Sequence, residues 1–194
     1  TANRAQVQAQ VFAATAQLLA AGNAFADLSV QRIAHEAGIS RTAFYFYFAD
    51  KRELISGLAS DISQQLYDRA TRFFSGEADR EDELRAVLGA VYDLYRHHGA
   101  VTRAIVEVST YDEELAVYWR GLLDAFVSAT EQRIVRERAS GAHGAARGTG
   151  EPRAIAFALV WMLERTLYQQ LVQDEPVPRP QIIEAMVHIF QGAI

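Results

Sequence analysis

The chain lacks cysteine altogether, which excludes disulfides and thiolate metal sites and suits a reducing cytoplasm. It has no apolar run of membrane-spanning length and does not open on a basic leader followed by an apolar stretch. A soluble, cytoplasmic protein with no membrane partner is therefore expected. Neither a phosphate-cradling glycine loop nor a nucleophile motif is present, which weighs against an enzyme. No convincing strand pattern and no internal repeat can be found. Positive charge is scarce, with a formal net charge of -5 over 194 residues. What the chain does have is helical periodicity and a half-hydrophobic composition. These predict an all-α fold of about nine helices, as one compact domain or a small domain joined to a larger one.

Residues 29 to 53, SVQRIAHEAGISRTAFYFYFADKRE, stand out because their spacing fits a task and not only a fold. Val30, Ile33, Ala34 and Ala37 fall at i, i+3, i+4 and i+7, the apolar stripe of a short helix with Ser29 as its N-cap. Gly38 ends that helix, Ile39 plugs the turn, and Ser40 caps a second helix opening at Arg41. Phe44 and Phe48, four apart, face inward in that helix, which leaves Arg41, Thr42 and Tyr45 outward. Two short helices over such a turn match a helix-turn-helix, whose second helix enters the major groove of DNA. The chemistry suits it: Arg41 can pair with guanine, Thr42 offers a hydroxyl and a methyl, and Tyr45 and Tyr47 can donate to phosphates. Asp50 and Glu53 have capping-box spacing at the start of a third helix. Lys51 and the free N–H groups of that first turn could hold a phosphate.

A turn of this kind also occurs in proteins that never meet DNA. The run of five aromatics from Phe44 to Phe48 decides between the readings, since one core face of a short helix cannot take them all and outward aromatics beside Arg and Lys want a partner. Net charge agrees once divided by region. Residues 1 to 53 hold five Arg and Lys against four Asp and Glu, +1, and the remainder fourteen against twenty, -6, so the acid lies away from the motif. So weak a basic footprint makes affinity lean on geometry and paired half-sites.

The residues Ile33-Ala34, Ala37-Gly38-Ile39-Ser40, Thr42-Ala43, Tyr45-Phe46-Tyr47-Phe48 and Lys51-Arg52-Glu53-Leu54 resemble the motif of the TetR-type transcriptional regulators over about the first quarter of the chain. The resemblance implies base contacts from Arg41, Thr42 and Tyr45, and phosphate contacts from Ser29, Gln31, Tyr47 and Lys51. Tyr47 stands where many members have His. Later segments, including Ala100-Val101-Thr102-Arg103-Ala104 and Glu164-Arg165-Thr166-Leu167, look like the branch that includes the mycobacterial ethionamide-resistance repressor. That likeness implies an elongated apolar tunnel in the body.

Around the motif, residues 4 to 21 read as a first helix, completing a three-helix DNA head over residues 1 to 52. Residues 53 to 194 read as a larger ligand-binding and dimerisation body. In it a helix from Asp50 to about Ser75 leads to one with an acidic start at Asp79 to Glu83. A shorter helix follows around Val101 to Val108, then a long one from Asp112 to about Arg138. Residues 139 to 150, small and glycine-rich, read as a loop. Pro152 opens a helix to about Gln173 that is apolar nearly all round, and Pro176, Pro178 and Pro180 precede the last helix. These last two helices carry more apolar surface than one subunit covers, so a homodimer built on them is expected.

His97, His98 and His143 make a poor metal set, two being adjacent and one in the loop, and no metal, cofactor or catalytic residue is assigned. Glu107 and Glu164 could be hydrolytic carboxylates but have no accompanying motif. Phe157, Trp161, Glu164 and Tyr168 follow i, i+4, i+7 and i+11, a stripe that puts one carboxylate among aromatics. With Tyr92, Trp119 and Phe126 they form the expected site for a small apolar effector. The reading is a regulator, most simply a repressor, that binds a double-stranded operator as a homodimer and responds to that effector. The competing reading is a helical small-molecule-binding protein or enzyme whose DNA head no longer functions.

Overall fold

The structure, a computed structural model, describes residues 2–77, 81–140, 150–173 and 177–193, the side chains of Ala2 and Asn3 excepted. Among the described residues there are nine α-helices and one 3-10 turn, and no strand: α1 (Ala2–Ala20), the 3-10 turn (Phe25–Asp27), α2 (Val30–Glu36), α3 (Arg41–Tyr47), α4 (Lys51–Ser75), α5 (Glu81–His97), α6 (Gly99–Val108), α7 (Glu113–Ser140), α8 (Pro152–Leu171) and α9 (Arg179–Ala193). None of these helices is long and apolar enough to cross a membrane. Asp79, His143 and Pro176 lie outside the described residues, as does most of the expected loop.

Helix ends follow local chemistry. α4 begins with a reciprocal box in which the Asp50 carboxylate accepts from the Glu53 N–H at 2.8 Å and Glu53 accepts from the Ala49 N–H at 2.5 Å. α7 opens where Asp112 accepts from the Leu115 N–H at 3.0 Å. Glu151 does the same for Ala154 at 2.9 Å, with Pro152 in the first turn, where a missing N–H costs nothing. α4 closes at Gly76, φ +83°: Gly76 donates to Phe73 and Glu77 to Arg72, a left-handed cap.

The chain divides into two compact units, residues through Ile62 with His98–Trp119, and Ser63–His97 with Arg120 onward. In the first, α1 packs on α2, α3 and α6 around Val11, Phe25, Leu28, Ile33, Phe44, Leu54, Ile55 and Ile105, all buried. This unit reaches past the 52/53 division read from the sequence, because α6 buries Val101, Ala104 and Ile105 in a unit it shares with α1.

The second unit holds α5, α8, α9 and parts of α4 and α7. Val127, Ile134 and Ala156 form one cluster, with Ile155 and Val160 against it. Phe73 meets Phe190 edge-on at 5.6 Å, and Tyr67 meets Phe126 at 5.6 Å. α5 is tied to α9 by Arg85, which reaches Glu184 at 2.6 Å, and by Arg179, which reaches Asp93 at 2.7 Å. Such exposed pairs fix register more than they stabilise.

Candidate functional site

In the first unit, α2 and α3 are built by caps that the sequence supplies at three successive points. Ser29 Oγ accepts from the Arg32 N–H at 3.2 Å and Ser40 Oγ from the Ala43 N–H at 3.0 Å. Between them Gly38, at φ +69°, donates to His35, and Ile39 donates to Ala34. The turn needs this left-handed residue, which a side chain would disfavour by ~1–2 kcal/mol. A serine hydroxyl that accepts a cap bond keeps its own proton to donate, so capping leaves Ser29 able to meet a phosphate.

Phe44 and Phe48 are buried, rings 5.4 Å apart, and Phe12 of α1 lies 5.7 Å from Phe48. These fix the inner face of α3. The outer face carries Arg41, Thr42 and Tyr45, all exposed. Among the described residues Arg41 has no acidic partner, so its guanidinium is available to a base edge or a phosphate. Gln31 is exposed on α2, and Tyr47 is half-buried with the Arg4 guanidinium 5.9 Å from its ring centre.

Lys51, expected to meet a phosphate, already has partners within the chain. It is the only lysine in the chain, and its Nζ donates to the carbonyls of Phe25 at 2.7 Å and Ala26 at 3.0 Å while lying 4.8 Å over the Phe25 ring. Partial burial lowers its pKa, with Asp27 opposing. The amine thus ties the start of α4 to the 3-10 turn, and a phosphate would have to win it from two carbonyls or use the backbone N–H of the helix start. Next to it Arg52 bonds Asp112 at 2.8 Å and also Glu114, an anchor in the same unit that raises the Arg52 pKa; the Leu115 N–H first, and then Arg52, hold the Asp112 carboxyl below its usual range.

The ligand residues expected from sequence do not all gather. Trp119 is buried in the first unit; the other six belong to the second. There Tyr92 is buried under the Arg179 guanidinium at 5.4 Å, and Phe126 packs on Tyr67 and Phe74. Tyr168 is buried beneath Arg165 at 5.1 Å. Phe157 departs from the expected stripe. It is 55% exposed and meets Trp161 at 5.9 Å, whereas Glu164 and Tyr168 further along are buried. The buried side of α8 turns along its length: the first half offers Ala156 and Leu159, with Ala156 against Val127 and Ile134 of α7, and the second half turns Glu164, Leu167 and Tyr168 inward.

Glu164 accepts from the Tyr95 hydroxyl at 3.4 Å through Oε1, its Oε2 is buried without a hydrogen bond, and Arg165 Nε stands 3.8 Å away. Burial holds this carboxyl above the usual range, with Arg165 and the Tyr95 bond opposing, and holds the Tyr95 phenol well above its own. Tyr95 was readable only as a core residue of α5. Its one sequence signal is the i, i+3 spacing from Tyr92, and a partner 69 positions away has none.

Two family models match the chain: the tetR family of bacterial regulatory proteins over residues 11–58, and the C-terminal domain of the transcriptional regulator EthR over residues 84–194. The HTH-type transcriptional regulator EthR of Mycobacterium tuberculosis is 32% identical over 185 residues, covering 93% of this chain and 84% of that protein. Among solved structures, the transcriptional regulator FadR of Bacillus subtilis in complex with stearoyl-CoA aligns with a TM-score of 0.76 at 17% identity, covering 95% of this chain and 98% of that one. AibR in complex with isovaleryl coenzyme A and operator DNA aligns at 0.68 and 16%, covering 97% and 100%. At such identities the structural likeness speaks to the fold.

Proposed function

The chain belongs to the TetR family of bacterial regulatory proteins, with an EthR-type C-terminal domain, and on that premise we propose a homodimeric repressor whose grip on an operator is set by a small apolar ligand. The division of labour is DNA binding by residues 1–52 and ligand binding with dimerisation by residues 53–194. Base edges are read by Arg41, Thr42 and Tyr45, and phosphates are met by Ser29, Gln31, Tyr47 and the start of α4 at Lys51. The observation that carries this reading is the outer face of α3, where a guanidinium with no acidic partner among the described residues, a threonine and a tyrosine stand exposed over a turn whose three caps are all formed. A protein that reads DNA works in the cytoplasm, and its relatives are named as regulators, not enzymes.

Dimerisation is assigned to α8 and α9, where Phe157 and Ile189 are exposed at 55% and 42%, and Trp161, Met162 and Ile182 are half-buried. Paired with their copies, these helices make a four-helix bundle that sets two heads about 34–36 Å apart, one turn of DNA. The ligand is assigned to the second unit, around Tyr92, Phe126, Trp161, Glu164 and Tyr168. Two proteins of the same fold hold acyl-CoA molecules, and the long stearoyl chain of one of them supports an elongated apolar effector. A coupling of ~1–3 kcal/mol between ligand and operator would be enough to switch a promoter.

Selecting duplexes from a random pool and measuring the winner against its scramble tests the proposal. Arg41→Ala should lose ~1–3 kcal/mol of discrimination. Equal loss on both duplexes would put Arg41 away from the bases, and a monomer in light scattering with operator binding intact would remove the dimer from the mechanism.

A further inference from the structure

Phe46 is 73% exposed, more than any other large hydrophobic residue described. It stands on α3 between Tyr45 and Tyr47. Its neighbours show that this is a choice of face and not the fraying of a helix end: Phe44 and Phe48 on either side are 0% and 2% exposed, and Tyr45 leans edge-on against Phe44 at 5.6 Å. Among the described residues the Phe46 ring meets no other ring. It offers no hydrogen bond, neutralises no phosphate and adds nothing to the core that α3 builds.

Its position says what it would meet. Phe46 follows Thr42 by four residues, so the two share a face of α3 and Phe46 lies about 6 Å further along the axis. The face turned to DNA therefore ends in one apolar ring after Arg41, Thr42 and Tyr45. In the major groove the apolar feature on a base edge is the C5-methyl of thymine, and the other edge groups are donors and acceptors. A phenyl ring gains nothing from those and gains from burying the methyl.

We propose that Phe46 is a specificity-determining residue that reads a thymine methyl roughly two base pairs beyond the pair addressed by Thr42. The inference rests on the DNA-binding role of α3. It predicts that the operator half-site carries thymine at that step, and that the contact depends on the methyl group alone.

The test uses the full chain and the duplex it selects from a random pool, with each thymine replaced in turn by deoxyuridine, which removes one methyl and keeps every hydrogen-bonding group. At one thymine per half-site the wild type should lose about three- to fivefold in affinity, the worth of one buried methyl, with an unchanged salt slope because no phosphate contact is lost. Phe46→Ala should bind the thymine duplex several-fold more weakly and be indifferent to the replacement. Phe46→Leu should keep part of the sensitivity, and both variants should melt like the wild type since the ring is not in the core. A Phe46→Ala chain that still feels the replacement, a selected half-site without thymine at that step, or an equal loss on thymine and uridine duplexes would each overturn the assignment. A failure to enrich any duplex would overturn the DNA-binding reading itself, and the inference with it.

Discussion

Removing the amine of Lys51 separates a structural role from a DNA-binding one. In Lys51→Met the stem stays and the charge goes. Two charge-assisted bonds to the Phe25 and Ala26 carbonyls are lost, at 2.7 and 3.0 Å, with the cation 4.8 Å over the Phe25 ring. Buried bonds of this kind are each worth ~1.5–3 kcal/mol, but this amine is only partly buried, so ~1 kcal/mol apiece is the better figure after solvent screening. The ring adds ~0.5–1 kcal/mol. The desolvation that lowers the Lys51 pKa offsets part of the gain, leaving a net loss of ~1–2 kcal/mol. For a chain of this size that is a drop of roughly 2–8 °C in melting temperature. Binding to the selected duplex should keep its salt slope. If instead the ammonium sat on a phosphate, the slope would shrink by about 0.9 per half-site. An unchanged melting temperature together with that smaller slope would refute the structural assignment of Lys51.

Glu164→Gln tests the buried carboxyl. Its folded pKa is raised by burial, so the folded chain holds the proton more tightly than the unfolded one. The stability tied to this proton is complete below the unfolded carboxylate pKa and is lost as pH rises through the folded value. Melting curves from pH 4.5 to 8 should show the wild type falling behind the variant as pH rises; parallel profiles would mean that Glu164 is ionised at no cost. At Gly38, where an added Cβ meets open space and only the φ of +69° resists it, Ala should cost ~1–2 kcal/mol in chemical denaturation and Asn less. Equal stability of all three would show that the turn does not hold a left-handed residue.

The parts of the structure that were legible in the sequence are those whose causes are local. Ser29, Gly38 and Ser40 each act within about four residues, and each forms the bond its spacing implies. Asp112 and Glu151 likewise cap α7 and α8 by local bonds, although the sequence marked the start of α8 only through Pro152. What could not be read is what depends on the partner across the fold. Lys51 looked like a phosphate ligand because its position in the motif is visible, whereas the carbonyls that take its amine lie about 26 residues upstream in a turn with no signature. Glu164 was recognisable as a carboxylate among aromatics, but Tyr95, which bonds it, was not.

Phe157 and Phe46 make the sharper comparison, because both are large aromatics on helices with an ordinary apolar period. A stripe drawn at fixed angle along α8 put Phe157 with Glu164 and Tyr168, and would hold if one neighbour covered the whole helix. α8 has several: α7 lies against Ala156 in its first half, Tyr95 of α5 reaches Glu164 in its second, and α9 also packs on it, so its buried side rotates and Phe157 is left outside. On α3 a single inner wall, Phe44 and Phe48, settles the face within seven residues, and there the excess of aromatics alone implied that some face outward. Period therefore locates a site only where a helix is short enough to lie in one environment. In a long helix the same pattern spans two environments, and the residue that falls between them, as Phe157 does, leaves apolar surface that the proposed dimer would cover.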